Sequence, residues 1–281
     1  MKHDVRGELA GVIPEVLIGL VPRSFDVIGS RGRSVAVVEV PEGLSGYEVD
    51  IAKAIMRVHR NVISVLSKGS ERTGEFRTRE MRVIYGDPDT VVLHRESRCV
   101  FKVDPVKAYF SPRESTERDR ISEQVRDDEK VLVMFSGVGP FPIRIARSNP
   151  GATITAVELN PYAHNLCVEN ISLNRVEGRV RAILGDVKEV CPRLGERFDR
   201  VLMPLPKGAH RFLDVAIAST KRGGILHFYH WAPENSLFAE AERLVAGAAA
   251  VRGRSVRILD EVKVSQYSPR VWKVCLDAAV S

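Results

Sequence analysis

From residue 130 onward one alternation governs the chain: a short apolar run, a turn, an amphipathic segment, then an apolar run again. The runs are KVLVMF (130–135), ATITAVELN (152–160), VRAILGD (180–186), RVLMPLP (200–206) and GGILHFYH (223–230). Between them, IRIARSN (143–149), YAHNLCVENISLNR (162–175) and FLDVAIAST (212–220) carry helical spacing. Strands alternating with helices require right-handed crossovers and a parallel sheet, so the chain from 105 to 281 is expected to be a doubly wound α/β domain. The last stretch, VRILDEVKVSQYSPRVWKVCLD (256–277), breaks the rhythm with two strand-like runs around Ser268-Pro269, which predicts an antiparallel hairpin at the sheet edge.

Residues 1–104 read differently, as short alternating pieces. VAVVEV (35–40) and MRVIYG (81–86) have strand character, DIAKAIMRVHRNV (50–62) has helical spacing, and Pro or Gly marks the joins. A small α+β module is expected there. The segment PVKAYFSPRESTERDRISEQV (105–125), with a charged amphipathic helix over about 114–125, is the expected entry to the second domain.

In an open parallel sheet a ligand lies outside the carboxyl ends of the strands, at the turns. The turn after the first strand of the α/β region is Ser136-Gly137-Val138-Gly139-Pro140-Phe141. Gly137 and Gly139 permit close approach of backbone, though tight strand-to-helix turns also use glycine for steric reasons alone. The next strand ends in Glu158, some twenty residues on, where a carboxylate accepts both hydroxyls of a ribose or caps the helix starting near Pro161. Glycine turn and acid together favour ribose recognition. Asp186 ends the third strand at the same edge, where it can accept from the exocyclic amine of adenine. The longer G-x-G-x-x-G that packs a helix against pyrophosphate is missing, so S-adenosyl-L-methionine fits better than a dinucleotide. Phe135, Leu159, Val187 and Pro204 are expected to line this site beside Gly137, Gly139, Glu158 and Asp186. The fourth strand ends in Met203-Pro204-Leu205-Pro206, a stiff, donor-poor loop suited to pinning a planar base.

Composition narrows the class. With 281 residues, 44% of them hydrophobic, the chain can bury real cores. It has no apolar run of membrane-spanning length and no readable secretory signal, so a cytoplasmic protein without membrane contact is expected. Cys99, Cys167, Cys191 and Cys275 are scattered, with no C-x-x-C pair, which argues for buried thiols and against a zinc ribbon; no metal is expected. The formal charge of +6 and pI near 9.2 suit a polyanionic partner. Arginines cluster in RTGEFRTREMR (72–82) and SPRESTERDRISEQVR (111–126), which predicts a local basic face.

FSGVGPF (135–141), AVELNP (156–161), MPLPKGAHRFLD (203–214), GGILHFYHW (223–231) and SQYSPRVW (265–272), with GEFRTRE (74–80) and YFSPRESTERDRI (109–121), resemble the archaeal and eukaryotic tRNA guanine-N1 methyltransferases that modify guanosine 37. The resemblance spans nearly the whole chain. It implies a Rossmann-type methyltransferase domain after a smaller tRNA-binding domain, and methyl transfer from S-adenosyl-L-methionine to guanine N1 beside the anticodon. Tyr109, Arg113, Glu117 and Arg118 match the segment that carries the target-base site, and Arg77 matches a further active-site arginine. Pro112, Leu205, Pro206 and Lys207 fall in the same motifs and join the expected substrate site.

The implied roles are chemically sound. Guanine N1 is protonated at neutral pH, so Glu117 is the expected general base, and Arg113 or Arg77 would stabilise charge developing on O6. The expected partner is the anticodon stem-loop of tRNA, and a monomer is the expected state. Two departures from the family pattern stand out: Pro204 replaces an asparagine common among relatives, and the early start of the motifs leads us to expect no extra N-terminal domain for checking the tRNA corner. The runner-up is the related aminocarboxypropyl transferase of wybutosine synthesis, which uses the same cofactor.

Overall fold

The computed structural model describes residues 4–30, 32–69 and 81–281. The chain divides between Pro112 and Arg113 into two compact units. In the first, β1 (Asp26–Ser30) and β2 (Arg33–Val38) are antiparallel, β2 is parallel to β3 (Val62–Lys68), and β3 is antiparallel to β4 (Met81–Gly86). The parallel pair requires a crossover, supplied by the helix Glu48–Val58. That helix buries Ile51, Ala52, Ala54 and Ile55, a single face at helical spacing, in a core with Val38, Val62 and Val65. Gly86 is obligatory where β4 ends: φ is +108°, and a Cβ there would stand 2.2 Å from the Ile63 carbonyl oxygen.

A separate hairpin, β5 (Val92–Glu96) and β6 (Cys99–Val103), completes this unit. Its turn places Ser97 and Arg98 at φ +43° and +63°. Phe110 packs edge-on against His94, 5.0 Å between centroids, and lies 5.9 Å from Phe101. These contacts hold Tyr109–Pro112 with the hairpin, in the first unit and not in the second.

The second unit is a seven-stranded sheet. Its strands are β7 (Lys130–Met134), β8 (Thr153–Glu158), β9 (Val180–Leu184), β10 (Phe198–Met203), β11 (Thr220–Pro233), β12 (Val256–Ser268) and β13 (Val271–Val280). They lie in the order β12-β13-β11-β10-β7-β8-β9. Strands β7 to β11 pair in parallel, whereas β13 is antiparallel to both β11 and β12, so the C-terminal hairpin forms the sheet edge expected of it. Val131, Leu132, Val133 and Met134 of β7 and Val201, Leu202 and Met203 of β10 are all fully buried. Burial on both faces explains why these strands read as continuous apolar runs; each such side chain contributes about 1.5–3 kcal/mol. The helix Ala239–Val251 buries Ala241, Val245 and Ala249 on one face.

The chain leaves β7 toward β8 and β9 on one side and returns to β10 on the other. That reversal is a topological switch point, where a crevice opens at the carboxyl ends of the strands. The four cysteines are buried and unbridged. No helix among the described residues is long and apolar enough to cross a membrane.

Candidate functional site

At the switch point the backbone after β7 is held in unusual conformations. Phe135 has φ +57°, Gly137 +56° and Gly139 +89°. A left-handed non-glycine residue costs about 1–3 kcal/mol and tends to sit where function demands it. Its ring packs edge-on to Phe212, 5.0 Å between centroids. Gly139 is glycine for an internal reason: a Cβ would lie 2.7 Å from Cys167 Sγ and 3.0 Å from Ile143 Cδ1. It serves as N-cap of the helix Pro140–Ser148, with Pro140 in the first turn.

Glu158 ties this turn to the next. Its Oε2 accepts from Gly137 N at 2.7 Å and its Oε1 from Asn160 N at 2.8 Å. The helix Pro161–Leu173 is capped by the Asn160 side chain, which accepts from Tyr162 N and Ala163 N, so capping is not the task of Glu158. With Gly137 N on one oxygen, Asn160 N on the other and the Leu159 N–H close by, the carboxylate keeps acceptor capacity, which suits the neighbouring hydroxyls of a ribose. Burial lifts the Glu158 pKa above its ordinary value, against the pull of the backbone N–H groups of Asn160, Gly137 and Leu159. Asp186 caps the helix Val187–Arg193 by accepting from Lys188 N through Oδ1 at 2.8 Å, and Oδ2 remains available among the described residues. Leu159 is half-buried, while Val187 belongs to the core between the sheet and its helices. The site therefore fits a nucleoside: its carboxylates are acceptors for hydroxyls and an amine.

The loop after β10 lies at the same edge. Pro204 and Pro206 have no N–H, and Leu205 N donates to the Met203 carbonyl at 2.7 Å. Three consecutive residues thus offer acceptors only. Pro206 is buried, Pro204 and Leu205 half-buried, and Lys207 exposed.

Among the residues expected to meet the target base, Tyr109 and Pro112 belong to the first unit, and Arg113 opens the second as an exposed residue. Arg77 lies outside the described residues. Glu117 and Arg118, on the helix Ser115–Gln124, are buried. Glu117 accepts from Arg120 through both oxygens, at 2.8 Å each, and from the Tyr229 hydroxyl at 2.6 Å. Arg118 and Arg120 are therefore not part of an exposed basic face: burial and ion pairing claim two of the arginines in the second cluster, leaving Arg113 and Arg126 exposed.

Behind Glu117 runs a polar network that the motifs had not marked as functional. Arg120 also donates to Asp277, which bonds His227, and Arg200 joins His227 to Glu129 and Gln124. Asp277, His227 and Arg200 are all at most 2% exposed. A signal existed in the sequence: Lys273 and Asp277 interrupt the apolar run of β13, and a buried charge requires a partner. His227, Cys275 and Asp277 also lie within 4.8 Å of one another, the spacing of a metal site. Two guanidinium groups donate to the same His and Asp, which makes this a hydrogen-bonded charge network and a poor ligand set.

Known proteins resemble this chain along most of its length. The TRM5/TYW2 methyltransferase domain model matches residues 92–259, and the TYW2 N-terminal domain model matches residues 5–90. The tRNA (guanine(37)-N(1))-methyltransferase Trm5b of Pyrococcus abyssi is 39% identical over 269 residues, covering 96% of this chain and 78% of that protein. The tRNA(Phe) (4-demethylwyosine(37)-C(7)) aminocarboxypropyltransferase of Pyrococcus horikoshii is 34% identical over 281 residues, covering 100% and 97%. A solved complex of aTrm5 and tRNALeu superposes with a TM-score of 0.85 at 30% identity, covering all of this chain and 79% of that one.

Proposed function

The chain belongs to the TRM5/TYW2 methyltransferase family, and from that membership we propose that it methylates N1 of guanosine 37 in tRNA. The observation that carries the reading is the similarity to Trm5b along 96% of the chain. S-adenosyl-L-methionine is the cofactor of this family, and when bound it supplies an electrophilic methyl group on sulfonium. Glu158 holds the ribose hydroxyls and Asp186 accepts from the adenine amine, with Phe135, Gly137, Gly139, Leu159, Val187 and Pro204 around them. The acceptor-only loop Pro204–Pro206 complements the exocyclic amine of guanine, a donor, with Lys207 next to it in the chain; the motif match alone assigns Tyr109, Pro112 and the buried Arg118 to the base as well. Glu117 removes the N1 proton, and Arg113 or Arg77 stabilises the charge that moves onto O6. The enzyme acts as a monomer in the cytoplasm and engages the anticodon stem-loop.

A second reading has its own support: the Pyrococcus horikoshii aminocarboxypropyltransferase is covered over 97% of its length, and the N-terminal model is of the TYW2 type. One experiment separates the two. Unmodified tRNA and tRNA carrying 4-demethylwyosine are incubated with cofactor labelled either in the methyl or in the carboxyl carbon, and the product nucleoside is identified by mass. Methyl label in unmodified tRNA is the expected result. Carboxyl label entering the tricyclic base, with no methylation of guanosine, would transfer the assignment to the second reading.

A further inference from the structure

An ionised carboxylate offers about four acceptor sites, two on each oxygen. Among the described residues, Glu117 Oε1 accepts from Arg120 Nη2 (2.8 Å) and Tyr229 Oη (2.6 Å), so both of its sites are taken. Glu117 Oε2 accepts only from Arg120 Nε (2.8 Å) and keeps one site. We propose that Arg120 and Tyr229 are positioning residues for the proton transfer: they saturate Oε1 and leave Oε2 as the one oxygen that receives the N1 proton. This rests on the reading of Glu117 as the base. In the step the N1–H bond breaks, its electron pair stays on the ring nitrogen, and an O–H bond forms at Oε2.

The clamp is itself held in place. Arg120 Nη1 donates to Asp277 Oδ2 at 2.6 Å, and Gln124 Nε2 donates to the same oxygen at 3.1 Å. His227 lies between Arg200 Nη1 on Nε2 (2.6 Å) and Asp277 Oδ1 on Nδ1 (2.6 Å). A guanidinium can only donate, so Nε2 is the acceptor and the proton sits on Nδ1, from which it donates to Asp277. Burial lowers the His227 pKa, in keeping with that neutral tautomer. The Asp277 carboxylate is destabilised by burial, but the bonds from His227 and Arg120 outweigh this and keep it ionised. Arg120 therefore spans two carboxylates with its plane fixed, and it cannot rotate to release Oε1. The Tyr229 hydroxyl cannot act as an acid here, since burial raises its pKa well above the ordinary value; it serves as a fixed donor.

Tyr229→Phe removes one hydroxyl and keeps the ring. Single-turnover transfer should slow about tenfold, while dissociation constants for cofactor and tRNA, and the melting temperature, stay at parent values. In a Glu117→Gln background, itself slowed about a hundredfold or more, Tyr229→Phe should add no further loss, because its effect passes through the carboxylate. Asp277→Asn, which loosens the far side of Arg120, should slow transfer likewise with both dissociation constants unchanged, but at a lowered melting temperature because it removes a buried charge; the unchanged melting temperature of Tyr229→Phe keeps the test independent of folding. Slow Glu117→Gln with Tyr229→Phe and Asp277→Asn at the parent rate, or losses that multiply in the double variants, overturns the positioning roles and leaves the base assignment standing. Glu117→Gln at the parent rate removes the base assignment, and the inference falls with it.

Discussion

Glu158 and Glu117 are carboxylates of the same unit, and the donors they meet differ in kind. Glu158 takes one backbone N–H on each oxygen, from Gly137 and Asn160. Glu117 takes three side-chain donors, two from a guanidinium and one from a phenol. Backbone donors are neutral and fixed by the fold, so the first arrangement spaces two open acceptor sites at a set position, as binding a diol requires. Side-chain donors have to be oriented by further side chains, which is why Glu117 draws on Asp277, Gln124, His227 and Arg200. On the proposed roles, the binding carboxylate is built from local turns, whereas the reacting one draws its support from distant strands.

The comparison predicts where each acid fails. Glu158→Ala should weaken S-adenosyl-L-methionine binding by about ten- to a hundredfold, the scale of losing charged hydrogen bonds worth about 1.5–3 kcal/mol, and should leave tRNA affinity alone. Calorimetric titration with unchanged cofactor affinity would remove Glu158 from the site. A smaller effect comes from pH. Burial raises the Glu158 pKa, so on acidification it protonates and loses acceptor capacity earlier than an ordinary carboxylate. Cofactor affinity should decline as pH falls through that raised value, at higher pH than an ordinary carboxylate would give; Glu158→Gln should flatten the decline. A profile that persists in the glutamine variant would assign the titration elsewhere.

How much of this could be read from the chain follows the same division. Strands β7 to β11 were legible because burial on both faces makes them apolar throughout, with turn residues between. Glu158 was legible because its position depends only on the end of β8. In the first unit, β3 follows the helix Glu48–Val58 after a gap of three residues, so the apolar pattern runs on without a visible break. The β5–β6 turn uses Ser97 and Arg98 at positive φ, without the glycine or asparagine that announces such a turn. The helix Ser115–Gln124 reads as a charged amphipathic helix that contributes to a basic face, yet Glu117, Arg118, Ile121 and Ser122 are buried, with Tyr229 of β11 donating to Glu117 and Asp277 of β13 pairing Arg120. Those partners lie more than a hundred residues away in the chain, and only the sheet order brings them to the helix.

Methylation of N1 removes a Watson–Crick donor and blocks pairing, so reverse transcription of treated tRNA reads the central claim directly. With enzyme and S-adenosyl-L-methionine, an unmodified transcript bearing guanosine 37 should give a stop next to that position, and the stop should vanish when the base there is changed to adenosine. Full-length read-through of the guanosine transcript, or a stop at another guanosine, would contradict the account.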